Sequence, residues 1–146
     1  MIHASDGDLR QAFHKHYSAV QETKEPCSYL LLFYSVECGL KSILMKRKRL
    51  TSTAQIQDQT LLSHNFAPLI KELRLPRSVV GDMGHTNDKS QPKIPNFRLH
   101  RDSSSWEMSE AHQAWRYGIR VNPQDQKILV EWLEKVCIWI KENSNR

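Results

Sequence analysis

Between Ser28 and Lys48 the chain reads SYLLLFYSVECGLKSILMKRK, and the part from Tyr29 to Tyr34 is apolar nearly all round a helix. A helix of that kind has no wet face to turn to solvent, so it has to be the central element around which the rest packs. Counting by threes and fours from Leu30 gives Phe33, Tyr34, Glu37, Leu40, Lys41 and Leu44, which puts Glu37 on the stripe facing the core. A carboxylate there costs several kcal/mol if left alone, or takes up a proton. Lys41, one turn later and in the favourable Glu-to-Lys order, is its first partner. Two readings follow: an exposed intrahelical ion pair, or a buried polar cluster completed by side chains from other helices.

The flanking segments read as further helices. Asp6 or Asp8 is positioned to cap a first helix running to about Thr23, with Leu9, Ala12, Phe13, Tyr17 and Val20 at three- and four-residue steps. Ser28 opens the second helix, which runs to about Lys48. A polar connector, Leu50 to Ser63, leads to a third helix from Asn65 to Leu73, with Phe66, Leu69, Ile70 and Leu73 on one face and Pro76 as its stop. From Leu75 to Ser105 the sequence has Pro76, Gly81, Gly84, Pro92 and Pro95 and no sustained period, which predicts a long irregular connection with no strand longer than a short hairpin piece. Glu107 to Tyr117 suits a short helix. The last helix opens on Asn122 as cap, Pro123 in the first turn and Asp125 at the positive end. Leu129, Trp132, Leu133, Val136 and Ile140 form its core stripe, while Ile128, Val130, Ile138 and Trp139 lie off it and suit self-association or a partner protein. The expectation is an all-α fold: an antiparallel bundle of four to five helices forming one domain over residues 1–146.

Composition narrows the function classes. A chain of 146 residues can bury a core without staples. The three cysteines, Cys27, Cys38 and Cys137, are odd in number and lie in or beside apolar segments, the usage of reduced, buried thiols in a cytoplasmic protein. No CxxC and no metal-ligand spacing among the seven histidines is present, so neither a metal nor a cofactor is expected. GxSxG, P-loop, HExxH and Gly-rich dinucleotide motifs are also missing from the sequence. The N-terminal MIHASDGDLR lacks signal-peptide character, and the Tyr29–Met45 stretch, interrupted by Glu37 and Lys41, reads as too short to span a bilayer. A net charge of +5 favours an anionic partner such as RNA or a nucleotide.

His64 and Arg116 are the expected partners of Glu37. His64 precedes the third helix in SHNFAPL, where Ser63 or Asn65 would serve better as a cap alone. Arg116 is flanked by Trp115 and Tyr117, which can hold a guanidinium against a carboxylate or phosphate. Each residue also has a structural reading, capping for the histidine and clamping for the arginine. The Lys46-Arg47-Lys48-Arg49 run either complements the negative end of the helix or, extended by Lys41 and Arg120, forms a phosphate-binding patch.

The order of Tyr34-Ser35-Val36-Glu37-Cys38-Gly39-Leu40-Lys41, then His64-Asn65-Phe66, then Trp115-Arg116-Tyr117, resembles the pattern of the HEPN superfamily over roughly Ser28 to Glu142. That resemblance implies a helical bundle, commonly dimeric through its long helices, and association with RNA cleavage or nucleotidyl-transfer partners. HEPN ribonucleases carry an arginine and a histidine four to six residues apart near the last helix. Here no histidine follows Arg116 or Arg120, and the one match to that spacing, Arg10 to His16, falls in the first helix with His14 beside it. The resemblance therefore implies a component of a bacterial defence or toxin–antitoxin system that binds RNA, nucleotide or a partner protein. Two alternatives stay open: a metal-independent endoribonuclease with His64 as acid/base and Arg116 and Lys41 on the phosphate, and a structural subunit with Glu37 and Arg116 as a buried pair.

Overall fold

The computed structural model describes residues 2–81 and 93–144. The fold is mostly helical, with α1 (Asp6–Val20), α2 (Cys27–Arg47), α3 (Ala67–Leu73), α4 (Arg77–Val80), α5 (Ala111–Arg116) and α6 (Pro123–Asn143). A small hairpin, β1 (Phe97–Arg98) with β2 (Ser105–Trp106), pairs Phe97 with Trp106. Among the described residues six α-helices stand where four to five were expected, because the four-residue α4 lies inside the segment read as irregular. Gly84 and Pro92, on which that reading partly rests, lie outside the described residues.

The local reasons differ from those anticipated at two helix starts. The first helix is capped by Ser5, whose hydroxyl accepts from the Asp8 N–H while the Asp8 carboxylate accepts from the Ser5 N–H. Asp8 is thus the reciprocal member of a capping box, not the cap. The second helix starts at Cys27 after Pro26, with no side-chain cap. At α6 the expectation holds, since the Asn122 amide oxygen accepts from the N–H groups of Gln124 and Asp125. All five residues of its expected stripe are buried, and so is Trp139, over which the Arg47 guanidinium sits at 5.6 Å.

α2 is the centre. Ten of its residues are buried, and its 21 residues are long and apolar enough, by length and composition, to cross a membrane, so the shorter stretch read from the sequence understated it. In this fold α1 lies antiparallel on one side: the Ser42 hydroxyl near the end of α2 donates to the Asp6 carbonyl at the start of α1. α6 runs parallel to α2, not antiparallel as expected of the bundle, with Ile140 against Gly39 and the Ser144 carbonyl reached by Lys46, and it touches α1 where Lys141 sits over the Tyr17 ring.

Gly39 is where the three long helices meet. A Cβ there would stand 2.7 Å from Ile140 Cγ2 and 3.0 Å from the Phe13 ring. Overpacking of this kind typically costs about 1–3 kcal/mol and exceeds what a better helix former returns. Gly39→Val is expected to destabilise the protein by roughly 2–3 kcal/mol in urea denaturation, and adding Ile140→Ala to it should cost less than the two single changes summed. Strict additivity would show that the helices do not meet at this point.

Candidate functional site

The Glu37 carboxylate finds two of the partners its position demands. Its side chain is 12% exposed; Lys41 Nζ lies 3.4 Å from Oε1 and His64 Nδ1 lies 2.6 Å from the same oxygen. Of the two readings of this acid, the polar cluster reaching across elements is the one realised. A carboxylate can only accept, so His64 Nδ1 is the donor in this contact, and in the neutral ring Nε2 is the nitrogen with the lone pair. The His64 side chain is 51% exposed, so this oriented imidazole faces solvent.

Lys41 has turned inward. Its ammonium donates to the Leu62 carbonyl at 3.1 Å as well as pairing with Glu37, and its side chain is 12% exposed. It anchors the segment that carries His64 and is not displayed for a phosphate, which corrects that expected role.

Arg116 does not reach Glu37 as expected. Its Nη2 donates to the Tyr34 hydroxyl at 2.8 Å, and its guanidinium lies 6.0 Å from the exposed Tyr117 ring. The physical reason is depth. Arg116 ends α5 at the surface, where the phenol one turn before Glu37 meets it first, while Lys41 and His64 already satisfy the acid. The same Tyr34 ring lies 6.2 Å from that of His16, so the histidine of the Arg10–His16 pair stands at the edge of the cluster; Arg10 itself is exposed.

The residue that sequence reasoning missed is His112. It is buried, its ring centroid is 4.4 Å from that of His64, and both rings sit against the fully buried Phe33, at 5.2 and 6.4 Å. Its Nδ1 is buried without a hydrogen-bond partner among the described residues. Burial pushes this imidazole below its ordinary value; the charges of His64 and Arg116 push the same way, while the Ser109 carbonyl and Glu37 oppose them. A signal for it did exist: His112 stands one helical turn before Arg116, so a search for a histidine upstream would have paired the two.

The basic run of Lys46 to Arg49 is largely tied down. Lys46 donates to the Ser144 carbonyl, Arg47 to the Leu73 carbonyl, and Lys48 pairs with Glu72 at 2.9 Å; Arg49 is exposed. Arg120 lies with Pro26 and Tyr29 around a cavity at the start of α2, whereas the run is at its end. At 1.5 Å per residue these are roughly 25–30 Å apart, so the single extended patch is not formed. Among the described residues no group of three or more His, Cys, Asp or Glu side chains is placed to hold a metal ion.

No protein-family profile, characterised protein or solved structure matches the chain.

The buried His112 has a pH consequence. Above its ordinary value of 6.5 both folded and unfolded chains hold it neutral. Below that value the unfolded chain takes the proton first, so stability is lost as pH falls toward the lowered folded value. The protein is expected to lose more stability between about pH 7.5 and pH 5 than His112→Phe does, read from urea midpoints at each pH. Equal losses would mean that His112 is protonated as readily folded as unfolded.

Proposed function

We propose that the chain is a HEPN-like helical bundle whose His64 face binds RNA and cleaves it by internal transesterification, in a bacterial defence or toxin–antitoxin setting. The observation that carries this reading is the solvent-facing His64 imidazole whose Nδ1 is held by the nearly buried Glu37 carboxylate. Such a pairing fixes the tautomer, aims Nε2 outward and stabilises the imidazolium that forms on accepting a proton.

The step needs no group beyond these side chains. His64 Nε2 accepts the 2′-hydroxyl proton, the 2′-oxygen bonds to phosphorus, and the bond from phosphorus to the 5′-oxygen breaks. The imidazolium returns its proton to that leaving oxygen, giving a 2′,3′-cyclic phosphate and a 5′-hydroxyl. Arg116, exposed and steadied by Tyr34, is the cation for the charge that builds on phosphate oxygens. His112 is too buried to touch RNA and is a positioning residue, backing the His64 ring against Phe33.

On mixed single-stranded RNA, His64→Ala is expected to lower kcat by about a hundredfold or more, the effect of removing a proton-transfer group. Its thermal midpoint should move little, because the side chain is half exposed. RNA bearing a 2′-deoxy sugar at the cleavage position should stay intact. The reading is abandoned if purified protein leaves all RNA whole and His64→Ala alters only thermal stability.

The partner we infer is a second copy, joined through the outer face of α6. Ile128 and Ile138 are 53% and 51% exposed there, and Glu131 and Lys135 stand between them. In an antiparallel pairing about a two-fold axis, Ile128 meets Ile138 of the second copy while Glu131 meets Lys135, so the face is self-complementary. Light scattering should give twice the chain mass, falling to one chain with Ile128→Glu. A native protein that scatters as one chain at high concentration removes this interface.

A further inference from the structure

Beside the His64 cluster, on the other flank of α5, lies a half-open cavity of about 270 Å³. Its floor is Phe97, Leu99, Ala114 and Ile119, and two aromatic side chains rise at its rim: Trp106, 46% exposed, and Tyr117, 65% exposed. Arg101, Glu110 and Gln113 supply its polar groups. Drug-sized sites begin at about 300 Å³, so this volume suits one flat ring system more than a whole folded ligand.

We propose that this cavity is a nucleobase subsite that takes a guanine of a single-stranded RNA whose backbone runs past Arg116. The proposal rests on the ribonuclease reading for the strand, but the cavity stands on its own residues. Three observations select the occupant. The first is continuity: Tyr117, a wall of the cavity, is in cation–π contact with Arg116, which in turn is bonded to Tyr34 in the His64 cluster. A strand with a phosphate on Arg116 therefore has its next base within reach of Trp106 and Tyr117. The second is the pair of exposed rings. Single-stranded RNA is recognised largely by stacking unpaired bases on such side chains, with hydrogen bonds made to base edges. Trp106 is held for this by its own contact, since Nε1 donates to the Ser104 hydroxyl and leaves the ring faces uncommitted.

The third is the polarity of the rim. A Glu110 carboxylate can only accept, so it favours a base edge with donors side by side. Guanine offers N1–H and the 2-amino group next to each other; uracil offers a single N–H. Gln113 can serve the remaining carbonyl edge, and Arg101 the phosphate beyond it.

The test uses the full chain and three probes: GMP, UMP, and a pair of short oligoribonucleotides that are all uridine or carry one guanosine. Quenching of tryptophan fluorescence should show GMP binding about tenfold or more tighter than UMP, a difference in line with the loss of stacking and edge contacts. Trp106→Ala, Tyr117→Ala and Glu110→Gln should each remove most of that preference, whereas His64→Ala should leave GMP binding unchanged. Tyr117 is exposed enough that its variant folds even if Trp106→Ala disturbs the hairpin. In cleavage assays Trp106→Ala and Glu110→Gln should raise KM for the guanosine oligomer alone and leave kcat in place. GMP binding that depends on Trp106 in a protein that cleaves no RNA supports the base site and defeats the ribonuclease reading. Cleavage that depends on His64, yet shows the same kcat/KM for both oligomers and all cavity variants, overturns the base site and leaves that reading standing. Equal affinity for GMP and UMP also overturns it, leaving an apolar cavity without base selection.

Discussion

A single carboxylate on the most apolar helix of the chain imposes the arrangement of everything around it. Glu37 is 12% exposed, and an acid held there without partners would outweigh the gain from several buried side chains around it. Its two partners are not independent. Lys41 Nζ bridges Glu37 and the Leu62 carbonyl, and Leu62 is two residues before His64, which closes back on Glu37. The result is a closed circuit in which the lysine that neutralises the acid also pins the loop that delivers the imidazole. Removing Glu37 leaves the Lys41 ammonium with the Leu62 carbonyl alone, and removing Lys41 frees the loop that delivers His64, so the acid and the lysine are expected to act as a unit.

How far this was legible from residues alone depends on whether a constraint was local or shared. The central role of α2, the core stripe of α6 and the inward position of Glu37 all follow from period and polarity, which belong to one helix at a time. His64 could be named as a partner because the next segment offered few other basic groups placed to enter the core. Arg116 could also be named, but its destination could not. Which of Tyr34 and Glu37 it meets depends on the depth at which α5 lies, and no periodicity encodes that. The burial of His112 was hidden for a related reason, although its spacing to Arg116 was not: α5 has only six residues, too few to show a buried face, so a histidine in it reads as polar surface. The capping of α1 by Ser5 shows the limit at a finer scale, since Ser5, Asp6 and Asp8 are all good cap residues and only backbone geometry chooses among them.

The contrast between the two imidazoles is set by Phe33. This fully buried ring is a floor on which both histidines rest, and the one that enters from α5 is covered while the one that enters from the loop is half open. Burial disfavours the cation on His112, while the half-open His64 has the Glu37 carboxylate against it. Lys41 and His64 share one oxygen of that carboxylate, whereas His112 has no acid against it among the described residues. A pair of histidines in equivalent surroundings would lack this division.

Several of the basic residues are held by the fold itself and not displayed as one anion-binding face. Lys46, Arg47, Lys48 and Arg98 each have a structural partner, the last a two-point contact with Asp125, and Lys41 is turned into the core. Each phosphate neutralised adds a separate increment to polyanion affinity, and here Arg116, bonded to Tyr34, and Arg101, which lines the aromatic cavity, are exposed cations. Contacts with anything other than an anion on this face fall to the tilted pair of imidazoles and to the two exposed rings, on either side of α5.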